Sequence, residues 1–254
     1  MQSLIISDGT DTATLTPGEE SWTVKLDVPT DQPDRVQRLL EAAAQAAVFD
    51  GGGRLDYWVD SIDEHADRVP VAAGYSPARD LWCLHRPLPA LDTVLPTRGF
   101  VDNDITDFLE VNNRAFHWHP EQGGWEEKDL VVRQTEAWYD PEGFRIWERD
   151  GRIGGFCWTK IHYDSDPKLG EIYIIAVDPD FHGEGIGRQL VLAGLTWLSK
   201  QHLRHAILYV ESDNGPANRV YRELGFELKH VNRCYQRTVR RSSLTPGSGK
   251  PVQE

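Results

Sequence analysis

The chain repeats itself. Laid over one another at an offset of 151, Tyr57–Arg86 and Leu208–Arg237 match Val59 with Val210, Ser61 with Ser212, Ala66 with Ala217, Arg68-Val69 with Arg219-Val220, and Cys83 with Cys234. Upstream, Ser21–Pro29 lies over Glu171–Pro179 at an offset of 150, and each segment leads into an apolar-periodic helix. Such self-similarity implies tandem duplication of one α/β unit, which restricts the fold to two related modules. Chance likeness between two strand-helix-strand segments is the competing reading.

A chain of 254 residues is long enough for two small domains, each with its own core. The formal charge is −13, and residues 1–95 hold 16 acidic against 7 basic side chains. Nucleic acid is therefore not an expected partner. No 18-residue apolar run and no basic-then-apolar N-terminal segment occurs, so the sequence predicts a soluble cytoplasmic protein with no membrane partner. Cys83, Cys157 and Cys234 are odd in number and far apart, which fits buried thiols better than a disulfide framework or a zinc site. Residues 240–254 are rich in Ser, Gly, Pro and Lys without periodicity and read as a disordered tail.

Within the second copy, Glu171–Gly187 reads EIYIIAVDPDFHGEGIG: an apolar strand, Asp178-Pro179, a glycine-rich turn, then a helix from about Ile186. Gly183, Gly185 and Gly187 lack a Cβ, so consecutive amides there can converge on an anion at the positive end of the helix dipole. That is a cradle for a pyrophosphate. A P-loop would need Gly-Lys-Ser/Thr, but Arg188-Gln189 follows Gly187. A dinucleotide fingerprint needs G-x-G-x-x-G early in a βαβ repeat, whereas this spacing is G-x-G-x-G late in the chain. In the first copy Asp31-Gln32-Pro33-Asp34 replaces the glycine turn, Ser21 stands for Glu171 and Pro70 for Tyr221. Acidic side chains there repel a diphosphate, so the first copy is degenerate, and it is also short at its start, with only strands at Ser3–Ile6 and Thr12–Thr16.

The second copy predicts a strand near Arg98–Val101, helices at Ile105–Phe116 and around Glu126–Tyr139, and strands Phe144–Arg149 and Ile153–His162 joined at Asp150-Gly151. After the glycine turn, Ile186, Leu190, Ala193 and Trp197 recur at helical spacing. A strand at Ala206–Glu211, a helix at Asn214–Leu224 stopped by Gly225, and a final strand at Phe226–Thr238 complete it.

This element order and the turn His182-Gly183-Glu184-Gly185-Ile186-Gly187 resemble the GNAT superfamily of N-acetyltransferases, with His182 where Gln or Arg is usual. With Phe156-Cys157-Trp158-Thr159-Lys160-Ile161-His162, LGEIYIIAVDP and LYVESDN, the chain resembles the tandem-repeat mycothiol synthase family over about residues 15–239. The resemblance implies an α/β fold of two tandem GNAT-like modules, each a mixed, mainly antiparallel sheet flanked by helices. The first, at 1–95, is degenerate and shortened; the second, at 96–239, is catalytic. It implies acetyl-CoA as co-substrate, no metal, a small-molecule amine acceptor, and a monomer or weak dimer.

Residue roles follow from the same resemblance. Glu171 stands where a general base is found and Tyr221 where a tyrosine protonates the leaving thiolate. Ile175, Ala176 and Val177 belong to a strand that splays from its neighbour and pairs with the pantetheine arm. His182, Gly183, Glu184, Gly185, Ile186, Gly187 and Arg188 hold the diphosphate, and Asn214 bonds the coenzyme arm. Taken alone, Glu171 reads rather as a solvated strand-end carboxylate, Tyr221 fits a half-buried helix aromatic, and Asn214 a turn or helix cap.

The segment Asn113–Trp125 crowds two Trp, two His, Glu and Gln into a loop, and rings beside hydrogen-bonding groups suit a sugar or polyol. His117, Trp118, His119, Glu121, Gln122 and Trp125, with Lys160, are the expected acceptor-binding residues. The family's acceptor is the cysteinyl amine of a cysteine–glucosamine–inositol conjugate. Two other readings stay open: acetyl transfer to another primary amine, such as a peptide N-terminus or aminoglycoside, and a non-catalytic acyl-CoA sensor.

Overall fold

A computed structural model describes residues 2–18, 21–29, 31–119 and 122–240. The tail expected at 240–254 lies, beyond Arg240, outside the described residues. The chain forms two compact units: Met1–Leu81 with the C-terminal stretch from His230, and Trp82–Lys229.

The first unit opens with β1 (Leu4–Asp8), β2 (Asp11–Pro17) and β3 (Ser21–Asp27), joined antiparallel. Helix α1 (Pro33–Phe49) follows, with Pro33 at its first position, where a missing amide costs nothing. Val36, Leu39, Leu40, Ala43, Ala44 and Ala47 recur at helical spacing and are buried against Ala13, Leu15, Trp22, Val24 and Leu55. Next, β4 (Gly52–Val59) pairs parallel with β3, and α2 (Glu64–Ala72) carries Pro70 inside it. β10 (Glu227–Arg240) closes this sheet, antiparallel to β4 from Arg233 to Arg240. Arg233 holds it by ion pairs to Asp67 and Asp80 at 2.9 and 2.6 Å.

In the second unit α3 (Ile105–Ala115) and α4 (Glu127–Gln134) precede β6 (Phe144–Arg149), β7 (Arg152–His162) and β8 (Leu169–Val177). Asp150 and Gly151, both at positive φ (55° and 73°), turn the β6–β7 hairpin as the sequence signal requires. After these come α5 (Ile186–Lys200), β9 (His205–Glu211) and α6 (Gly215–Glu223). The strand order is β5-β9-β8-β7-β6, where β5 (Ser76–Pro87) starts in the first unit and ends in the second. One face of this sheet packs on α5 through Ile172, Leu190, Leu195 and Leu198. The other carries an aromatic core of Phe100, Phe108, Phe144, Phe156 and Trp158 under α3 and α4, where Phe144 and Trp158 stack at 4.4 Å.

Both sequence copies thus share strand-helix-strand-helix-strand order, and only the second has the leading helix pair. The compact units do not follow the repeat boundary at 95/96: residues 82–95 join the second unit and His230 onward joins the first. Two element expectations change. Arg98–Val101 is no strand; it makes one isolated bridge, Arg98 to Ile146. The helix expected to Tyr139 ends at Gln134, where the chain passes into tight turns closed by the Glu136 and Tyr139 amides on the Arg133 and Glu136 carbonyls. Those turns bring Trp138 and Tyr139 onto Trp158. No described helix is long and apolar enough to cross a membrane.

Candidate active site

The geometry of β8 begins with one extra residue. Its antiparallel pairing with β7 shifts register at Trp158/Thr159, so that Trp158 pairs Ile174, Thr159 pairs Ile172, and Tyr173 is left as a bulge. Before the bulge Ile172 packs toward α5, so alternation turns Glu171 to the α3/α4 face; after it Ile174 and Ala176 take that face, while Ile175 and Val177 turn to α5. Bulges bend and twist a strand, and here parallel pairing with β9 covers only Gly170, Glu171 and Ile172. Beyond Ile172 the β8 edge leaves its neighbour, as the sequence reading required.

The gap is a cavity of about 630 Å³. Ile175, Ala176 and Val177 line it from β8, then His182, Gly183, Gly185, Ile186, Gly187 and Arg188 from the turn and first turn of α5, and Asn214 and Tyr221 from α6. Gly183 and Gly185 have φ of +83° and +77°, left-handed values at which a side chain is strained. A cavity Cβ at either would meet no other atom, so the room above these amides is real. The turn is braced from below. Buried Asp178 accepts from the Arg114 guanidinium at 2.9 Å, and Asp180 pairs with Arg114 and Arg152 at 3.0 and 2.9 Å.

His182 uses its Nε2–H on the Val177 carbonyl at 3.0 Å, which occupies an acceptor that the sequence reading assigned to the pantetheine arm. Glu184 does not line the cavity; its carboxylate pairs with Arg149 at 2.8 Å. Asn214 caps α6, accepting from the Ala217 amide at 3.2 Å, and also lines the cavity. Tyr221 is buried, with its ring edge-on to Phe226, and burial pushes its phenol well above the ordinary tyrosine range. Cys157 is buried and its thiol is pushed up to about 12, Cys83 is pushed up by the same desolvation, and Cys234 is buried too.

Glu171 does not line this cavity. It is only 6 % exposed, on the other face of β8, and it accepts a 2.6 Å hydrogen bond from His162 Nε2. His162 lies in a stretch that the sequence singled out, yet its contact with Glu171 needed the strand register to be seen. Lys160, directly opposite Glu171 in the ladder, places its ammonium over the rings of Trp138 and Tyr173 at 5.1 and 5.6 Å.

The loop residues separate. Trp118 is 57 % exposed. Trp125 is not an open loop ring: it is 6 % exposed, edge-on to Phe108, with the Arg133 guanidinium 4.0 Å above it. Burying so large a ring is favourable wherever core space exists, and the α3–α4 connection offers it. His117 donates from Nδ1 to the Arg114 carbonyl, and His119 Nδ1 accepts from the Gln122 amide. The Gln122 carbonyl accepts from Asn112 at 2.8 Å. Glu121 lies outside the described residues. Among those described, no three His, Cys, Asp or Glu side chains are grouped to hold a metal.

Comparison with known proteins agrees with this geometry. The Acetyltransferase (GNAT) family model matches residues 110–226. A mycothiol acetyltransferase of Nocardia farcinica is 38 % identical over 205 residues, covering 76 % of this chain and 68 % of that protein. Those of Thermobispora bispora and Acidimicrobium ferrooxidans are 41 % and 40 % identical, covering 76 % and 77 % of this chain and 69 % and 66 % of theirs. In solved structures, a GCN5-related N-acetyltransferase from Sphaerobacter thermophilus superposes with a TM-score of 0.73 at 21 % identity, covering 91 % of this chain and 77 % of that one. A tandem GNAT protein from the clavulanic acid biosynthesis pathway gives 0.65 at 17 %, covering 94 % and 82 %. At such identities the structures show the fold, and the sequence relatives show the family. The chain is a tandem GNAT acetyltransferase and belongs to the mycothiol acetyltransferase family.

Proposed function

We propose that this protein acetylates the cysteinyl amine of a cysteine–glucosamine–inositol conjugate, taking the acetyl group from acetyl-CoA in a ternary complex. The observation that carries the reading is the meeting, in one cavity, of the glycine turn, the β8 edge beyond Ile172 and Tyr221. The left-handed glycines and the first amides of α5 receive the diphosphate, aided by the Arg188 charge, and the β8 edge receives the pantetheine arm. Acetyl-CoA supplies the activated thioester.

The chain's own groups then divide the proton work. A free α-amino group has a pKa of roughly 7.7–8.0, so Glu171 has one readily lost proton to accept, directly or through water. Tyr221, kept protonated by its burial, gives its phenol proton to the departing thiolate. None of the cysteines suits an acyl-enzyme, since all three are buried and the thiols of Cys83 and Cys157 are held protonated. Trp118, Lys160 and the polar groups of the Asn113–Trp125 loop form the acceptor side.

Mass spectrometry of the acetylated product, with CoA release followed by thiol titration, tests this. The conjugate should turn over far faster than an aminoglycoside or a peptide N-terminus. Preference for either of those moves the acceptor assignment to another amine. Tight acetyl-CoA binding with no turnover of any amine would make the protein a sensor.

A further inference from the structure

Glu171 is flanked by two side chains of β7. Lys160 stands directly opposite it, and His162, paired with Leu169, is its diagonal neighbour on the same face. Lys160 is drawn away over two rings, so the carboxylate's hydrogen-bond partner is His162, at 2.6 Å. A carboxylate oxygen can only accept, hence Nε2 carries the proton in this contact. The backbone that carries His162 is held in place: Ser165 Oγ donates to the His162 carbonyl at 3.0 Å and accepts from the Leu169 amide at 3.1 Å, which pins the β7–β8 turn.

We propose that His162 is the positioning residue of Glu171: by donating Nε2–H to Oε2 it fixes the carboxylate's rotamer and leaves Oε1 to take the proton of the acceptor amine. A glutamate has three rotatable bonds, and a base must be in reach of its proton at the moment of attack, so an orienting bond made before substrate arrives raises the fraction of productive encounters. The burial gradient agrees, since Glu171 is almost sealed, with 8 % of its side chain exposed, and the imidazole, at 26 %, lies toward solvent. This inference rests on Glu171 being the base.

The test is steady-state kinetics of His162→Ala, His162→Gln, His162→Asn, Glu171→Gln and the double variant Glu171→Gln/His162→Ala in the full chain. His162→Ala should lower kcat about ten- to a hundredfold, the loss expected for a hydrogen bond to a charged group, with KM for acetyl-CoA unchanged. His162→Gln, whose amide N–H can take the place of Nε2–H, should recover most of that loss, and His162→Asn, one methylene shorter, should not. The double variant should be no slower than Glu171→Gln, because a group acting through Glu171 has nothing left to orient. Wild-type kcat in His162→Ala, alongside a slow Glu171→Gln, overturns the role of His162 and leaves the base assignment standing. Multiplicative losses in the double variant overturn it too, giving His162 a role independent of Glu171. Wild-type turnover in Glu171→Gln overturns the base assignment itself. If His162→Ala melts early, the Gln and Asn variants decide, and equal kcat in both counts against the proposal.

Discussion

The same strand pair behaves differently in the two modules. In the first, β2 and β3 pair without a register shift, and β3 stays parallel to β4 from Ser21 to Val24. In the second, the Tyr173 bulge interrupts the ladder and β8 parts from β9 after Ile172, two positions before Ile174, the equivalent of Val24. The turns that follow differ as well. Arg35 stands where Gly185 does, and its guanidinium is locked onto buried Asp11 and onto Gln32 at 2.7 Å. A cavity of about 860 Å³ persists beside β3, but Asp31, Asp60 and Asp63 line it. Degeneration of the first copy is thus a matter of pairing geometry and of a side-chain lock, in addition to lost residue identities.

The comparison breaks most directly at Tyr221, whose counterpart is Pro70. Tyr221→Phe should lower kcat by about 10²–10⁴-fold, the usual contribution of a general acid, with coenzyme affinity kept. Because its folded pKa is raised above the ordinary value near 10, the phenol stays protonated and the wild type should show no alkaline loss from this group below about pH 10. A pH–rate profile of both proteins checks the sign. Full turnover in Tyr221→Phe would leave the two helices functionally alike.

Next in size is the turn. Gly185→Asp puts an acid and a strained Cβ where the first module has Arg35, and calorimetry should find acetyl-CoA affinity reduced by about a hundredfold or more, with one binding site per chain in the wild type. A second strong site removed by changes at Asp31 or Asp34 would contradict the assignment of coenzyme to the second module alone.

The α3–α4 pair has no counterpart in the first module, and its two loop tryptophans should separate. Trp125→Ala should cost about 3–5 kcal/mol of stability in a denaturant titration, as core aromatics do. Trp118→Ala should leave the melt unchanged and raise KM for the acceptor. Smaller still, Arg35→Ala strands the Asp11 carboxylate and should cost about 1–3 kcal/mol, since Arg35 is itself partly exposed. It should bring no acetyl-CoA binding to the first module; if it does, the lock alone was keeping that cavity closed to coenzyme.

Much of this was legible because it is written locally. The duplication, the glycine turn after Asp178-Pro179, the Asp150-Gly151 hairpin and the apolar faces of α1 and α5 depend on residue types at fixed short spacings, and the structure has them where the sequence put them. Ten of the eleven residues expected to hold coenzyme line one cavity for the same reason, Glu184 being drawn off by Arg149. The acceptor side was less legible. Trp125 reads as a loop ring until the space beside Phe108 is known, and Glu171 reads as a strand-end carboxylate until His162 is placed diagonally across the ladder.

By itself, then, the sequence determined the repeated unit, the glycine turn ahead of α5 and the place of Tyr221 on α6, since backbone freedom, periodicity and motif spacing are properties of neighbours along the chain. Only the tertiary structure decided that Tyr173 is the bulged residue, that His162 and not Lys160 reaches Glu171, and that His230 onward completes the first unit while Trp82 onward belongs to the second. Those choices compare the free energies of alternative strand partners and registers between residues as far apart in the chain as Gly52 and Arg240, and no window of sequence contains both sides of such a comparison.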